Sequence, residues 1–370
     1  MASPVLKPLS SLRSHGGRSS VSGATVTVFG ATGFVGRYVL NRFAKMGCRV
    51  VVPFRGDEIM VRHLKPMGDL GVVNFFDMSI REPDQIEEAV AGSNIVINLL
   101  GKHFETSRWS FQDVHASFPS VLSTICAEQG VDRLVHMSAL GASASSPSAW
   151  ARSKAVGEEN VRAAFPASVI LRPAPTFGDE DRLLNRIAKL SRAFPVLPLV
   201  DGDAKQQPVF CDDVAKAVVE AASNPACAGK TYSLCGPKSY TNKELAAYVF
   251  KVSTACPQSR ATPRRATPLR HASAPRPAQV ICDDNNAVVL PRSIGMAFAA
   301  GISILPNPWL TPDQLRMQTV DTTMPADSLG MADLGVEPVA MEDRADRYLI
   351  RFKKPSMFQD DQGEIVRPPQ

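Results

Sequence analysis

The stretch V-T-V-F-G-A-T-G-F-V-G-R, from Val26 to Arg37, decides the fold of this chain. It reads as a short β-strand that runs into a turn with three glycines and then into a helix. Gly30 permits the tight turn, Gly33 lets the backbone approach a pyrophosphate, and Gly36 lets the helix pack closely on the strand. The amino end of a helix attracts negative charge, so this context predicts a dinucleotide-binding site; a purely structural turn is the alternative.

Six apolar runs alternate with helical patterns in the first half of the chain. Each run is nearly continuous in apolar residues, which indicates strands that are buried on both faces of a parallel sheet. The lengths between them suit right-handed βαβ crossovers. The sequence therefore predicts an α/β fold, a Rossmann-type doubly wound parallel sheet with a smaller C-terminal α/β region. The predicted strands are 25–29, 49–54, 72–76, 95–100, 134–138 and 168–172.

The amino-terminal segment, residues 1–23, has the composition of an organellar transit peptide. It is rich in serine, contains Lys7, Arg13 and Arg18, and no Asp or Glu occurs before Asp57. A basic, acid-poor segment of this kind is typical of import signals, and we favour a mitochondrial over a plastid signal. A leader without function is the alternative.

Three further segments follow. Residues 24–250 are predicted to form an NAD(P)-binding Rossmann domain with small C-terminal lobe elements. Residues 251–280 hold five prolines, six Lys or Arg and no acidic residue, which favours a disordered insertion over a basic docking arm. Residues 281–370 are predicted to be a C-terminal extension in which a charged helix, at about 338–354, docks on partners.

Two helix starts are marked by residues that cap helices. The run 240–250 reads as a helix capped by Thr241 or Asn242. The sequence T-P-D at 311–313 predicts a helix with Thr311 as its N-cap and Pro312 in its first turn.

The composition excludes several classes of protein. The net charge of +5 is spread along 370 residues without interleaved aromatic and basic residues, so no nucleic-acid partner is expected. The uncharged stretch 293–305 is too short to span a bilayer, which favours a buried helix or loop over a patch that faces a membrane or partner. Neither a disulfide framework nor a metal site is indicated, because the cysteines lack paired spacing and read as buried thiols. They lie at positions 48, 126, 211, 227, 235, 256 and 282.

The end of the second strand favours NADP(H) over NAD(H). An acidic residue that holds the ribose 2′-OH of NAD is expected there, but V-V-P-F is followed by Arg55, with Asp57 two residues later. An arginine complements a 2′-phosphate, and Arg37 is placed to help. Asp77 after the third strand would reach the adenine, and N-L-L-G (98–101) ends the fourth strand at the ligand-binding edge. That Arg55 is only a solvated loop residue is the alternative.

The stretch S-A-W-A-R-S-K (148–154) lies after a strand that ends in Ser138. With the glycine turn, this spacing resembles the short-chain dehydrogenase/reductase superfamily, whose atypical and extended members have Y-x-x-x-K on this helix. Here Trp150 takes the place of the tyrosine and Lys154 is kept. An indole N–H does not titrate usefully, so Trp150 cannot serve as the proton donor, while Ser138 and Lys154 can still hold nicotinamide and its ribose. The alternative is a substitute tyrosine, but none of the five, at 38, 232, 240, 248 and 348, has the right spacing.

A closer resemblance is carried by six further stretches: H-L-K-P-M-G-D-L-G (63–71), S-N-I-V-I-N-L-L-G (93–101), R-S-K-A-V-G-E (152–158), F-G-D-E-D-R-L-L-N (177–185), Q-P-V-F (207–210) and P-W-L-T (308–311). They resemble the NADPH-binding accessory subunits of the alpha subcomplex of mitochondrial complex I, NADH:ubiquinone oxidoreductase. The resemblance covers roughly residues 24–250 and, more weakly, 294–350, and does not extend to the basic insertion. The family often has tyrosine where Trp150 stands.

This resemblance implies a subunit without turnover of its own that holds NADPH tightly and supports assembly or stability. It implies a peripheral position on the matrix side of the mitochondrial inner membrane, near the junction with the membrane arm. The partners implied are other subunits of complex I, with contact to membrane lipid headgroups. Electrons would pass from NADH to quinone through other subunits.

Two other functions remain open from the residues alone. One is a free NADP-dependent oxidoreductase that acts on a quinone, a sugar nucleotide or a phenylpropanoid-like substrate. The other is a redox-sensing regulator. In every case no catalytic residue and no metal ligand is assigned. The residues expected to bind the nucleotide are Gly30, Thr32, Gly33, Phe34, Val35, Gly36, Arg37, Arg55, Asp77, Asn98, Leu99, Leu100, Gly101, Ser138, Lys154 and Pro173.

Overall fold

The structure is a computed structural model, and it describes residues 22–69, 71–193, 197–199, 201–254, 287–289, 292–303, 310–325 and 328–352. Nearly all of the predicted transit peptide, most of the predicted insertion and the last 18 residues lie outside these described ranges. The predictions made for those segments stay predictions.

Thirteen strands and ten α-helices follow one another along the described residues. The strands are β1 (Thr25–Phe29), β2 (Arg49–Phe54), β3 (Val73–Asp77), β4 (Ile95–Asn98), β5 (Arg133–Met137), β6 (Val169–Pro173), β7 (Thr176–Phe177), β8 (Leu197–Leu199), β9 (Lys205–Gln206), β10 (Val209–Phe210), β11 (Thr231–Leu234), β12 (Tyr240–Thr241) and β13 (Ala287–Val289). The helices are α1 (Phe34–Lys45), α2 (Pro83–Val90), α3 (Phe118–Glu128), α4 (Ala149–Ala164), α5 (Leu184–Ala193), α6 (Cys211–Ser223), α7 (Asn242–Thr254), α8 (Arg292–Ile302), α9 (Pro312–Gln318) and α10 (Met341–Leu349).

Seven parallel strands form the central sheet, in the order β11-β6-β5-β4-β1-β2-β3. The chain leaves β1 toward β2 and β3 on one side and continues through β4, β5 and β6 on the other. A crevice for ligands opens at such a reversal, outside the carboxyl ends of the strands. The predicted Rossmann-type doubly wound sheet is therefore confirmed, and each of the six predicted strands is present to within two residues at either end.

Helices cover both faces of this sheet. On one face α1 and α6 pack together over β1 and β2, with Leu40, Phe43 and Val214 fully buried. On the other face α2 and α3 bury Ile86 and Leu122. This double burial explains why the strands carry apolar residues at almost every position.

A smaller C-terminal region stands beside the sheet. It contains the pairs β7–β10, β9–β12 and β8–β13, and a separate apolar cluster that α5, α7 and α10 share. Thr241 accepts a hydrogen bond from the Glu244 amide while Glu244 accepts one from the Thr241 amide, a capping box that starts α7. The predicted cap at Thr311 is also present, because its hydroxyl accepts from the Gln314 amide.

The C-terminal extension packs back on the chain itself. Leu329 continues the sheet beyond β11, accepting a hydrogen bond from the Ser233 amide. The apolar face of α10, which includes Met341 and Leu349, is buried against α5 and α7. The prediction that this helix docks on partners therefore now rests on its charged face.

Two expectations from composition can be compared with the described residues. Five cysteines, at 48, 126, 211, 227 and 235, are buried and unpaired, as predicted. The stretch 293–305 begins as α8, in agreement with the preferred interpretation as a helix. Within the described ranges no helix combines the length and apolarity that a bilayer crossing requires.

Candidate functional site

The glycine turn brings the amino end of α1 against the backbone of β1. Gly30 has a φ of +81°, which glycine adopts without strain. A Cβ on Gly36 would lie 2.3 Å from the Gly30 carbonyl oxygen and 2.7 Å from the Ala31 Cα atom. No side chain caps α1 and its first turn has no acidic residue. Its free amides therefore face the crevice as a cradle for a phosphate group.

The carboxyl ends of β2 and β3 lie side by side, because Phe54 pairs with Asp77. Arg55 follows directly, and its guanidinium carbon lies 5.2 Å from the ring centre of Trp109. Arg81 lies over the same ring at 4.4 Å. Two guanidinium groups are thus held at this end of the crevice by one aromatic ring, an arrangement that suits an anionic group on an adenosine ribose.

Arg37 is not held toward this position. Its guanidinium forms an ion pair with Glu180 at 2.7 Å, between side chains that are partly exposed. An exposed pair of this kind contributes little to stability and can exchange partners. The role predicted for Arg37 stays a prediction, and Arg81 is the second guanidinium that the structure brings beside Arg55.

The turn after β4 is fixed from beneath by a buried pair. The Asn98 side-chain oxygen accepts from the Leu100 amide at 3.1 Å, so its amide nitrogen donates to His136 Nδ1 at 3.2 Å. Burial, and then the charge of Lys154, lower the pKa of His136 to about 3, so the ring is neutral at pH 7. Asn98 and His136 thus shape the turn 99–101 that borders the crevice.

Lys154 lies under this turn, fully enclosed by protein. Its ammonium group donates to the Met137 carbonyl oxygen at 3.0 Å, and a Cβ on Gly101 would lie 3.5 Å from Lys154 Nζ. Burial lowers the pKa of Lys154 to about 8, against the raising effect of Glu158. The Ser138 hydroxyl, one residue beyond Met137, is buried without a hydrogen-bond partner in the described part of the chain.

These features fit a dinucleotide. A cradle closed by glycine backbone, a buried ammonium with spare donors and an orphaned buried hydroxyl are what diphosphate and ribose groups would engage. Within the described ranges no three His, Cys, Asp or Glu side chains are grouped to hold a metal ion.

Trp150 lies at the edge of this site. Its indole N–H donates to the Lys102 carbonyl oxygen at 2.7 Å. The ring stacks with His103 at 6.1 Å and meets His115 edge-on at 6.2 Å. The alternative that Trp150 is remote from the site therefore does not hold.

The remaining tyrosines are engaged elsewhere. Hydrogen bonds join the phenols of Tyr240, Tyr248 and Tyr348 to carboxylates of Glu342, Asp346 and Asp181. Burial, and then thiol groups of Cys211 and Cys227, raise the pKa values of Tyr38 and Tyr232. No tyrosine stands in for the missing phenol.

The other residues predicted for the site all lie along the same crevice. Thr32 is exposed in the glycine turn, and Phe34 and Val35 begin α1. Leu99 and Leu100 follow β4. Pro173 ends β6, where its carbonyl oxygen accepts from the Leu140 amide.

Several residues that border the site escaped the sequence reasoning. Trp109, Arg81 and His136 are three of them, and only His136, within an otherwise apolar strand, carried a local signal. The fourth, Asp313 at the start of α9, caps α4: its carboxylate accepts from the Ser148 hydroxyl at 2.6 Å and from the amides of Ala149 and Trp150. The C-terminal extension thereby fixes the helix that carries Trp150 and Lys154.

A model of the NAD dependent epimerase/dehydratase family matches residues 26–235, from β1 to the end of β11. The match covers more than half of the chain, so the chain belongs to this family.

Within that family the relatives are more specific. The chain is 40% identical over 340 residues to NADH dehydrogenase (ubiquinone) 1 alpha subcomplex subunit 9, mitochondrial, of Mus musculus, covering 91% of this chain and 83% of that protein. It is 40% identical over 344 residues to the protein of the same name from Arabidopsis thaliana, covering 92% and 80%. The chain is thus a member of the family of these subunits, and the resemblance drawn from the sequence is confirmed.

The fold has many solved counterparts. An NADPH-dependent quinone oxidoreductase from Escherichia coli, in complex with NADPH, superimposes with a TM-score of 0.64 at 17% identity, covering 88% of this chain and 99% of that one. At this identity the likeness concerns the fold alone.

Proposed function

We propose that this chain is an accessory subunit of mitochondrial complex I that holds NADPH without turning it over. One observation carries the proposal: Trp150 occupies the position of the reductase tyrosine, while Lys154 and Ser138 remain beneath the site. The relatives named as subunits of NADH dehydrogenase support the assembly, and the family supports the class of cofactor.

The residues divide the work of binding. The amides that open α1 receive the diphosphate, and Arg55 with Arg81 receives the charge on the adenosine ribose. Lys154 and Ser138 hold the nicotinamide ribose. NADPH would supply hydride chemistry when bound, but a transferred hydride needs a proton for the substrate oxygen, and the Trp150 indole keeps its hydrogen on the Lys102 carbonyl.

Bound nucleotide in such a site acts as a structural component. A ligand that binds only the folded state stabilises it by mass action, by about 4 kcal/mol at a concentration 1,000 times its Kd. Its contacts here span β2, α1 and α4, so the same nucleotide joins both halves of the sheet.

The preference for NADPH over NADH depends on Arg55. We expect Arg55→Glu to lower the ratio of NADPH to NADH affinity by roughly 100-fold, because glutamate repels a 2′-phosphate and accepts from a 2′-hydroxyl. Isothermal titration with each nucleotide measures this ratio.

Arg49→Glu is the matched control, since Arg49 is exposed at the other end of the same strand and makes the same change of charge. An unchanged ratio in Arg55→Glu would reject this assignment of the 2′-phosphate.

The proposed position is peripheral, on the matrix side of the inner membrane near the membrane arm. Other complex I subunits are the partners, with lipid headgroups beside the charged face of α10. Electrons would pass from NADH to quinone through those other subunits.

The decisive test is to extract mitochondrial membranes gently, separate them on a native gel and detect this chain by mass spectrometry. We expect it to migrate with a very large NADH-oxidising assembly. Migration as a small species, with NADPH oxidation by the isolated chain that Lys154→Ala abolishes, would instead support the free oxidoreductase; the lowered pKa of Lys154 gives that rival its one proton donor.

A further inference from the structure

A basic cluster, Arg182, Arg186 and His103, lies outside the nucleotide contacts described above. Arg182 precedes α5 and Arg186 is in its first turn. The Arg186 guanidinium lies 3.5 Å from the Gln314 side-chain oxygen, whose amide nitrogen donates to the His103 carbonyl oxygen at 3.2 Å. A residue of α9 therefore joins the two sides of the cluster.

The three side chains share one electrostatic environment. The imidazole of His103 is open to solvent on one side, yet loss of solvation, followed by the charges of Arg182, Lys154 and Arg186, lowers its pKa to about 4. Loss of solvation and then the charge of Arg182 lower the pKa of Arg186. Like charges are thus held close together, at a cost in free energy.

No carboxylate within the described ranges forms an ion pair with Arg182 or Arg186. The acids on the same segment are turned to other partners: Glu180 pairs with Arg37, and Asp181 accepts from the Asn185 amide and the Tyr348 phenol. Two unneutralised guanidinium groups in one place form a site of the kind that binds an anion.

The cluster lies on the side of the nicotinamide position where a substrate would approach. His103 stacks on Trp150, which has the position of the tyrosine that faces substrate in reductases. The cradle for the diphosphate, by contrast, is formed by α1 amides, and Arg55 and Arg81 lie at the adenosine end. The cluster is therefore separate from the complement of charge that the nucleotide needs.

We propose that Arg182, Arg186 and His103 bind the phosphate group of a second ligand beside the nicotinamide position. Two guanidinium groups match the charge of a phosphate monoester at pH 7, and their planar donors suit its oxygens. The neutral imidazole supplies one further N–H donor. The location, though not the chemistry, rests on the proposed nucleotide site.

The test uses the full chain saturated with NADPH and titrated with inorganic phosphate at constant ionic strength. The His103 imidazole resonance, assigned with His103→Gln, is followed by NMR. We expect a saturable shift and a rise in the His103 pKa, and Arg182→Gln should weaken phosphate binding at least about tenfold by removing a charge-assisted hydrogen bond. Arg49→Gln is the matched control and should leave both phosphate and NADPH affinities unchanged.

Two results would overturn the inference. One is a phosphate shift that fails to saturate, or is equal in Arg182→Gln and the parent chain. The other is a loss of NADPH affinity in Arg182→Gln without phosphate binding, which would assign the cluster to the diphosphate of the nucleotide. Saturable phosphate binding that persists in a chain unable to bind NADPH would keep the anion site and reject the nucleotide.

The source of the phosphate is separated by two further probes, phenyl phosphate and phosphatidylcholine vesicles with or without phosphatidic acid. Binding of phenyl phosphate, with no preference for the acidic vesicles, supports a soluble phosphate ester. Binding to acidic vesicles that Arg182→Gln removes supports a lipid headgroup.

Discussion

Replacing Gly36 with alanine is expected to lower the free energy of unfolding by about 3 kcal/mol or more and to abolish nucleotide binding. The added methyl group would lie 2.3 Å from the Gly30 carbonyl oxygen and 2.7 Å from Ala31 Cα, and neither backbone atom is the end of a flexible side chain. Over-packing of this kind costs about 1–3 kcal/mol or more when backbone has to move. The move would carry the amides of α1 away from the diphosphate.

Denaturant unfolding and NADPH titration measure the two effects. Gly301→Ala is the control, because Gly301 is near the end of α8, is exposed and has open space where the methyl group of alanine would lie, with no atom within 4 Å. Alanine is the better helix former there by up to about 1 kcal/mol. A Gly36→Ala chain that is as stable as the Gly301→Ala chain and binds NADPH normally would show that α1 does not need this close approach.

The sheet was largely predictable because its signal is local. Strands buried on both faces have to be apolar along their whole length, and helix caps at Thr241 and Thr311 need only their own next three residues. The strand β11 was missed, since its four residues T-Y-S-L gain their place from pairing with β6 and from Leu329 rather than from any pattern of their own.

The site was predictable only where a motif fixes it. The glycine turn, Ser138 and Lys154 stand at fixed distances from strands or from one another, so their grouping follows from the fold. The path of the loop after β4 does not, and Trp109 reaches Arg55 only through that path. His136 meets Asn98 because of the register between β4 and β5, which no single strand reveals.

The contribution of the C-terminal extension is the least predictable part. Asp313 caps α4 from more than 160 residues away in sequence, so the residues around it carry no sign of that role. Its consequence is functional, because the capped helix carries Trp150 and Lys154. Docking of the extension and the shape of the nucleotide site are therefore coupled through one carboxylate.

Lys154→Met is expected to have opposite effects on stability with and without nucleotide. Without NADPH the variant should be about 1–2 kcal/mol more stable at pH 7. The parent chain buries an ammonium whose hydrogen-bond partner is the Met137 carbonyl, and the nearby Glu158 carboxylate is already held by Arg172. Removing a poorly compensated buried charge relieves that cost, while the neutral side chain has a similar length.

With NADPH the order should reverse. The ribose would lose a charge-assisted hydrogen bond worth about 1.5–3 kcal/mol, so the Kd for NADPH should rise by roughly 10- to 100-fold. At saturating NADPH the parent chain then gains more stability than the variant. A thermal or denaturant series at several NADPH concentrations should show the two curves crossing.

The pH dependence of the nucleotide-free chain identifies the cause. A lysine whose pKa falls from 10.5 to about 8 on folding binds fewer protons in the folded than in the unfolded state between those values. The stability of the parent chain should therefore rise with pH across that window, by about 3 kcal/mol relative to Lys154→Met. Lys230→Met, at an exposed lysine before β11, should follow the parent chain at every pH. If Lys154→Met were less stable than the parent both with and without NADPH, and showed the same pH dependence, Lys154 would be a structural hydrogen-bond donor and not a group held ready for the nucleotide.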